Sequence, residues 1–113
     1  MLASNLELLR HIAEEVNFIL NTTQGKTNTE LEDDPILSRA VIRSLEIIGE
    51  ATKKIDDEFR ADHPQIEWKK MARTRDKLIH DYFGVDYDIV WDIIENKLPF
   101  LKEEVDAILN EQE

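Results

Sequence analysis

Apolar residues recur along this chain at intervals of three and four, the spacing that builds one face of an α-helix. Leu6, Leu9, Ile12, Ala13, Val16, Ile19 and Leu20 form the first stripe. Ser4-Asn5-Leu6-Glu7 opens it as a capping box, in which the Ser and Glu side chains satisfy free backbone N–H groups reciprocally. A first helix is therefore predicted over residues 5 to 21. Asn21 to Asn28 is polar, contains Gly25 and reads as a loop. Thr29 to Asp33 adds a short helical turn, with Thr29 and Glu32 as a second capping box. Asp34-Pro35 starts a second long helix, because proline's missing N–H costs nothing at the first helical position.

That helix carries Leu37, Ala40, Val41, Ser44, Leu45, Ile48, Ala51 and Ile55 toward an end near Arg60, with Ile36 and Ile47 partly off the stripe. So wide an apolar surface implies packing on two sides. Gly49 in mid-helix costs about 1 kcal/mol relative to alanine, which points to a close backbone approach there. After His63-Pro64 a third helix is predicted from Glu67, with Trp68, Met71, Ala72, Leu78 and Ile79 turned inward and Gly84 as its stop. Asp86 caps a fourth, which buries Ile89, Val90, Ile93, Ile94 and Leu98 and keeps Trp91 on its flank. Pro99 should kink or split it, and Phe100, Leu101, Val105, Ile108 and Leu109 continue the pattern. The expectation is an all-α, up-and-down bundle of four to five helices in a single domain, 1–113.

Composition sharpens this picture. Only three glycines and three prolines occur, which favours long helices over a turn-rich sheet. Cysteine is absent, so disulfides and thiolate metal sites are excluded and a reducing cytoplasm is expected. No stretch approaches the roughly 18 apolar residues of a membrane span. Glu7, Arg10, Glu14 and Glu15 interrupt any apolar run of the secretory kind.

The net charge of −11 constrains function most. Nucleic-acid binders are usually basic, because phosphate contacts dominate affinity. An RNA site here would have to be a local positive cleft on an acidic body. Lys69, Lys70, Arg73, Arg75 and Lys77 offer one within a short stretch opposed only by Asp76. The same cluster fits a solvated helix face, and the acidic exterior also suits a basic protein partner.

Candidate chemistry narrows to one of the three histidines. His11 has Glu7 and Glu15 four residues to either side, but the paired Glu-x-x-His motifs of a bundle di-metal site are missing; no metal and no cofactor is expected. His63, before a proline in a loop, reads as surface. His80 belongs to Arg75-Asp76-Lys77-Leu78-Ile79-His80-Asp81-Tyr82, an R-x4-H-x-Y pattern. Arginine neutralises a phosphate with a planar, bidentate fork, and histidine moves protons near neutral pH. The pair is a minimal kit for cleaving RNA without a metal.

Geometry restricts how that kit could work. On an ideal helix Arg75 and His80 stand about 140° apart. They meet one phosphate only if the helix unwinds near His80 or if two chains build the site, as a two-fold dimer would. Asp76, four residues before His80, could fix the imidazole tautomer, and Tyr82 would align with Arg75 if the helix lasted that far. Blander roles fit the same residues: His80 as a hydrogen-bonded helix end, Tyr82 as a half-buried aromatic. Glu50 fits an ion pair with Lys53 or Lys54, or a place lining the cleft. Trp68 and Trp91 read as core or interface anchors.

The run Arg39-Ala40-Val41-Ile42-Arg43-Ser44-Leu45-Glu46-Ile47-Ile48-Gly49-Glu50-Ala51 resembles the second helix of the HepT-like (DUF86) branch of the HEPN superfamily. Trp68-Lys69-Lys70-Met71, the stretch from Arg75 to Asp86, Val90-Trp91 and Leu98-Pro99 are similar to that family too. The resemblance implies a homodimeric, metal-independent endoribonuclease, the toxin of a type VII toxin–antitoxin pair. It makes Arg75 and His80 the catalytic residues, with Asp76 in support. Lys69, Lys70, Arg73 and Lys77 are candidate contacts to RNA phosphates. Tyr82 matches the tyrosine to which a minimal nucleotidyltransferase antitoxin of the MntA type transfers AMP. Where the superfamily often has Asn after the arginine this chain has Asp76, which adds negative charge beside a phosphate site.

Two rival classes fit less of the chain. A non-catalytic helical partner of a nucleotidyltransferase suits the acidic charge but leaves Arg75 and His80 idle. An all-α nucleotide pyrophosphohydrolase needs Glu-Glu-x-x-Glu magnesium motifs, and neither Glu14-Glu15 nor Glu103-Glu104 continues into one.

Overall fold

Side-chain caps decide where the helices begin. In the computed structural model, which describes residues 4–81 and 84–111, the Ser4 hydroxyl accepts from the Glu7 N–H at 3.1 Å and α1 runs Asn5–Thr23. The short α2, Asn28–Asp33, opens earlier than its sequence suggests. Its capping box is Thr27 with Glu30 rather than Thr29 with Glu32: Thr27 has the extended backbone of an N-cap, and both reciprocal bonds form. Asp34 then accepts from the Ile36 and Leu37 N–H groups and starts α3, Pro35–Lys54.

α3 stops short of Arg60 because a new cap intervenes. Ile55 turns extended and buries its side chain, the Asp56 carboxylate accepts from the Phe59 N–H at 2.9 Å, and the chain restarts as α4, Asp57–Asp62. Asn5 fastens this corner to the start of α1. Its amide donates to Asp56 Oδ2 at 2.9 Å, and its carbonyl oxygen accepts from the Asp56 N–H at 3.2 Å. The bond from Asn5, and after it the one from Phe59, holds the Asp56 carboxyl below the ordinary carboxylate range.

The predicted third helix divides into α5, Trp68–Ala72, and α6, Thr74–Leu78, offset at Arg73. It does not continue to Gly84. The Leu78 carbonyl accepts from the Asp86 N–H at 3.2 Å, so no further helical turn takes it. The chain between is extended: β1, Ile79–Asp81, pairs antiparallel with β2, Gly84–Val85, with Ile79 opposite Val85 and Asp81 opposite Gly84. Gly84 is therefore a strand residue and not a helix stop. Isoleucine at the start of β1 favours the extended form.

Asp86 caps α7, Tyr87–Asp92, by accepting from the Asp88 and Ile89 N–H groups. Pro99 is accommodated by a π-helical turn over Ile93–Lys97, after which α8 runs Leu98–Glu111. Proline has no N–H and its ring presses on the carbonyl four residues back. The wider turn, in which the Leu98 N–H reaches the Ile93 carbonyl, takes up that misfit within the rod.

The result is an all-α bundle, interrupted among the described residues only by the two-stranded ribbon. α1 packs chiefly against α3 and α8. Leu9, Ile12, Val16 and Ile19 are buried there with Val41, Leu45 and Val105. Ile36, off the stripe, is left 83% exposed. His63 is half-buried rather than a surface residue: its ring packs on Phe59 at 4.7 Å, and its carbonyl accepts from the buried Trp68 indole at 2.9 Å. Gly49 has the close contact its position implies, since a Cβ there would lie 3.3 Å from the Met71 carbonyl oxygen. No described helix is long and apolar enough to cross a membrane.

Candidate functional site

The approach of α5 to Gly49 seats α5 and α6 on the outer side of α3, and α6 also touches α7. On this platform Arg75 is in the first turn of α6 and His80 is the middle residue of β1. Their backbones are described and their side chains are not; Tyr82 lies outside the described residues. The helix has ended at Leu78, so the helical offset that would hold Arg75 and His80 apart does not apply. This is the first of the two routes open to the sequence: the chain unwinds before His80. For the same reason Asp76, exposed on α6, has no helical i,i+4 relation to His80, and α6 does not reach position 82.

The basic cluster is divided by the fold. Lys70 and Lys77 line a groove of about 460 Å³, whose floor includes Leu45, Ile48 and Met71 and whose far wall is the π turn with the start of α8. Lys69 lines a neighbouring concavity with Asp57 and Arg60, and Lys70 borders both. Arg73 is exposed and lines neither. Lys70 is tied to Glu67 at 2.6 Å. That bond holds the Glu67 carboxyl below its ordinary value; partial burial opposes it, and the charges of Lys70, Lys97 and Lys77 reinforce it.

Lys97 is the residue that sequence reasoning missed. It lies far along the chain from Lys77, yet the π turn brings it onto the same groove with Asn96, whose amide is held by Asp92 Oδ1 at 2.7 Å. The one signal was Pro99, which marks a disturbed turn just before itself. Phe100 also lines this wall and is 50% exposed. Lys70, Lys77 and Lys97 thus share the rim of an apolar floor with Glu67 and Asp92.

Glu50 and His11 both lie at the surface. Glu50 is exposed and pairs with Arg43 at 3.9 Å, not with Lys53 or Lys54. His11 is exposed on α1, and no metal-binding group of His, Asp and Glu occurs among the described residues.

Comparison with known proteins places this arrangement. A protein of Caldanaerobacter subterraneus subsp. tengcongensis named "Putative RNase TTE0752" is 45% identical over 92% of this chain and 93% of its own. One of Methanocaldococcus jannaschii, "Putative RNase MJ0127", is 46% identical over 93% of this chain and 87% of its own. "Probable ribonuclease HepT" of Thermococcus cleftensis is 44% identical over 90% and 93%. No solved structure gives a significant match. The family model described as "Ribonuclease HepT-like" matches residues 12–108. An all-α bundle with an Arg-x4-His segment where α6 gives way to β1, matched over nearly its whole length, belongs to the HepT-like ribonuclease family of the HEPN superfamily.

Proposed function

We propose that the chain is a metal-independent endoribonuclease whose Arg75 and His80 act in the cleft of a homodimer. The observation that carries the reading is the position of this pair, at the junction of α6 and β1, in a chain of this family. Arg75 neutralises the scissile phosphate. His80 accepts the proton of the 2′-hydroxyl, O2′ bonds to phosphorus, the P–O5′ bond breaks, and the departing O5′ takes a proton from His80 of the partner subunit. The products are a 2′,3′-cyclic phosphate and a 5′-hydroxyl.

In this reading the chain is the toxin of a type VII toxin–antitoxin pair. A minimal nucleotidyltransferase silences it when the Tyr82 phenol attacks the α-phosphate of ATP, releasing pyrophosphate. The added AMP brings negative charge into competition for Arg75. The net charge of −11 favours a second reading, a non-catalytic helical partner of such a transferase. Mass analysis of RNA fragments made by the purified chain in EDTA separates them. Cyclic phosphate ends from a protein sedimenting as a dimer support the nuclease. Cleavage that needs added magnesium and leaves 5′-phosphates overturns it, and no cleavage favours the partner.

A further inference from the structure

We propose that the groove between α6 and the π turn is an RNA subsite holding one nucleotide beside the scissile phosphate, with Phe100 as the platform for its base and Lys97 and Lys77 as the contacts for its phosphate. The proposal rests on the nuclease reading and adds to it the surface that grips the strand.

Three independent features converge here. Phe100 is half-exposed at the groove wall, although most large apolar side chains of the bundle are buried. A ring presented to solvent beside cations is the arrangement that binds single strands, because every base has a π-face to stack. Lys77 and Lys97 reach this groove from elements far apart in sequence, and both act on Glu67 through their charge. The same lining carries Glu67, paired with Lys70, and Asp92, which accepts from Asn96, so Lys77 and Lys97 supply what attraction for phosphate the groove has on a body of charge −11. The wall that carries Lys97 is a π turn, a feature concentrated at functional sites, and Pro99 fixes it. Lys77 lies on α6, the short helix that also carries Arg75, so the groove adjoins the element that holds the proposed centre. The groove, about 460 Å³, is within the range of sites that enclose small ligands.

The test measures binding and cleavage separately. Binding uses a fluorescent, single-stranded 2′-O-methyl oligoribonucleotide, which has no nucleophile and cannot be cut. Phe100→Ala should weaken it roughly 5- to 100-fold, with Phe100→Trp restoring affinity. Lys97→Ala should weaken it uniformly across sequences and lower the salt slope by about one. Lys53→Ala, on α3 and outside the groove lining, should change neither. Both groove positions are exposed, so circular dichroism should be unchanged. Wild-type binding with Phe100→Ala and Lys97→Ala indistinguishable from it overturns the subsite, as does absence of RNA binding altogether. If Phe100→Ala instead dissociates the dimer and affinity falls only with dissociation, the groove belongs to a second copy and the proposal fails. Groove-dependent binding without cleavage of ordinary RNA upholds the subsite while the nuclease reading fails.

Discussion

In the proposed reading, a single phenol decides whether the enzyme can be switched. Tyr82 follows His80 by two positions, so an AMP attached to it carries at least one negative charge into the neighbourhood of the groups that must hold an RNA phosphate. Phenylalanine keeps the ring and removes the nucleophile. Tyr82→Phe should retain most cleavage activity yet escape silencing. Intact-mass measurement after incubation with the transferase and ATP checks this. A gain of one or more AMP units in the wild type, absent from Tyr82→Phe, is the expected result; equal gains in both place the modification elsewhere. The sequence singles these positions out by the R-x4-H-x-Y spacing, and their proposed roles come from the family resemblance and not from the spacing. Lys97 was not legible: its role depends on a turn bringing together distant segments, which periodicity along one helix does not encode.

Two joints between elements set the platform under the site. At the first, Gly49 lets the α5 backbone rest on α3, with the Met71 carbonyl oxygen 3.3 Å from where a Cβ would be. A carbonyl cannot swing aside as a side-chain tip can. Gly49→Val should therefore destabilise the fold by about 1–3 kcal/mol, as overpacking typically does, and denaturant midpoints would record it. At the second joint, Asn5 and the Phe59 N–H hold Asp56 below its ordinary pKa. A carboxyl lowered on folding stabilises fully above its unfolded pKa, loses that contribution as pH falls toward the folded value, and gives none below it. Asp56→Asn should melt below the wild type at neutral pH, and the gap should close as the solution is acidified through that window. A gap that persists at the acid end would mean the carboxylate's charge has no part in it.

These joints also explain which elements could be read in advance. The starts of α3 and α7 were legible because Asp34-Pro35 and Asp86 are local caps. The ends were not. α3 stops at Lys54 because Asp56 is held by Asn5, distant in sequence at the start of α1, and α6 stops at Leu78 because its carbonyl is taken by the Asp86 N–H across the ribbon. Both are tertiary bonds competing with helices that would otherwise propagate. The same competition brings His80 out of the helix, and with it the geometry that a helical-wheel argument could not supply.

At the scale of the whole molecule, an acidic body carries a groove that gathers Lys70, Lys77 and Lys97, with Glu67 and Asp92, on an apolar floor bordered by α6. The bundle sets the end of a helix against the start of a strand, and in the proposed reading the groove beside them is where RNA binds. Arg75 and His80 are the reacting pair on which the proposed cleavage depends. Single-turnover cleavage of end-labelled RNA in EDTA, with enzyme in excess, tests this most directly. Arg75→Ala and His80→Ala should each lower the rate about 10²–10⁴-fold relative to the wild type, with unchanged circular dichroism and melting. Wild-type rates in both folded variants, or a wild-type rate that disappears in chelator and returns with magnesium, would contradict it.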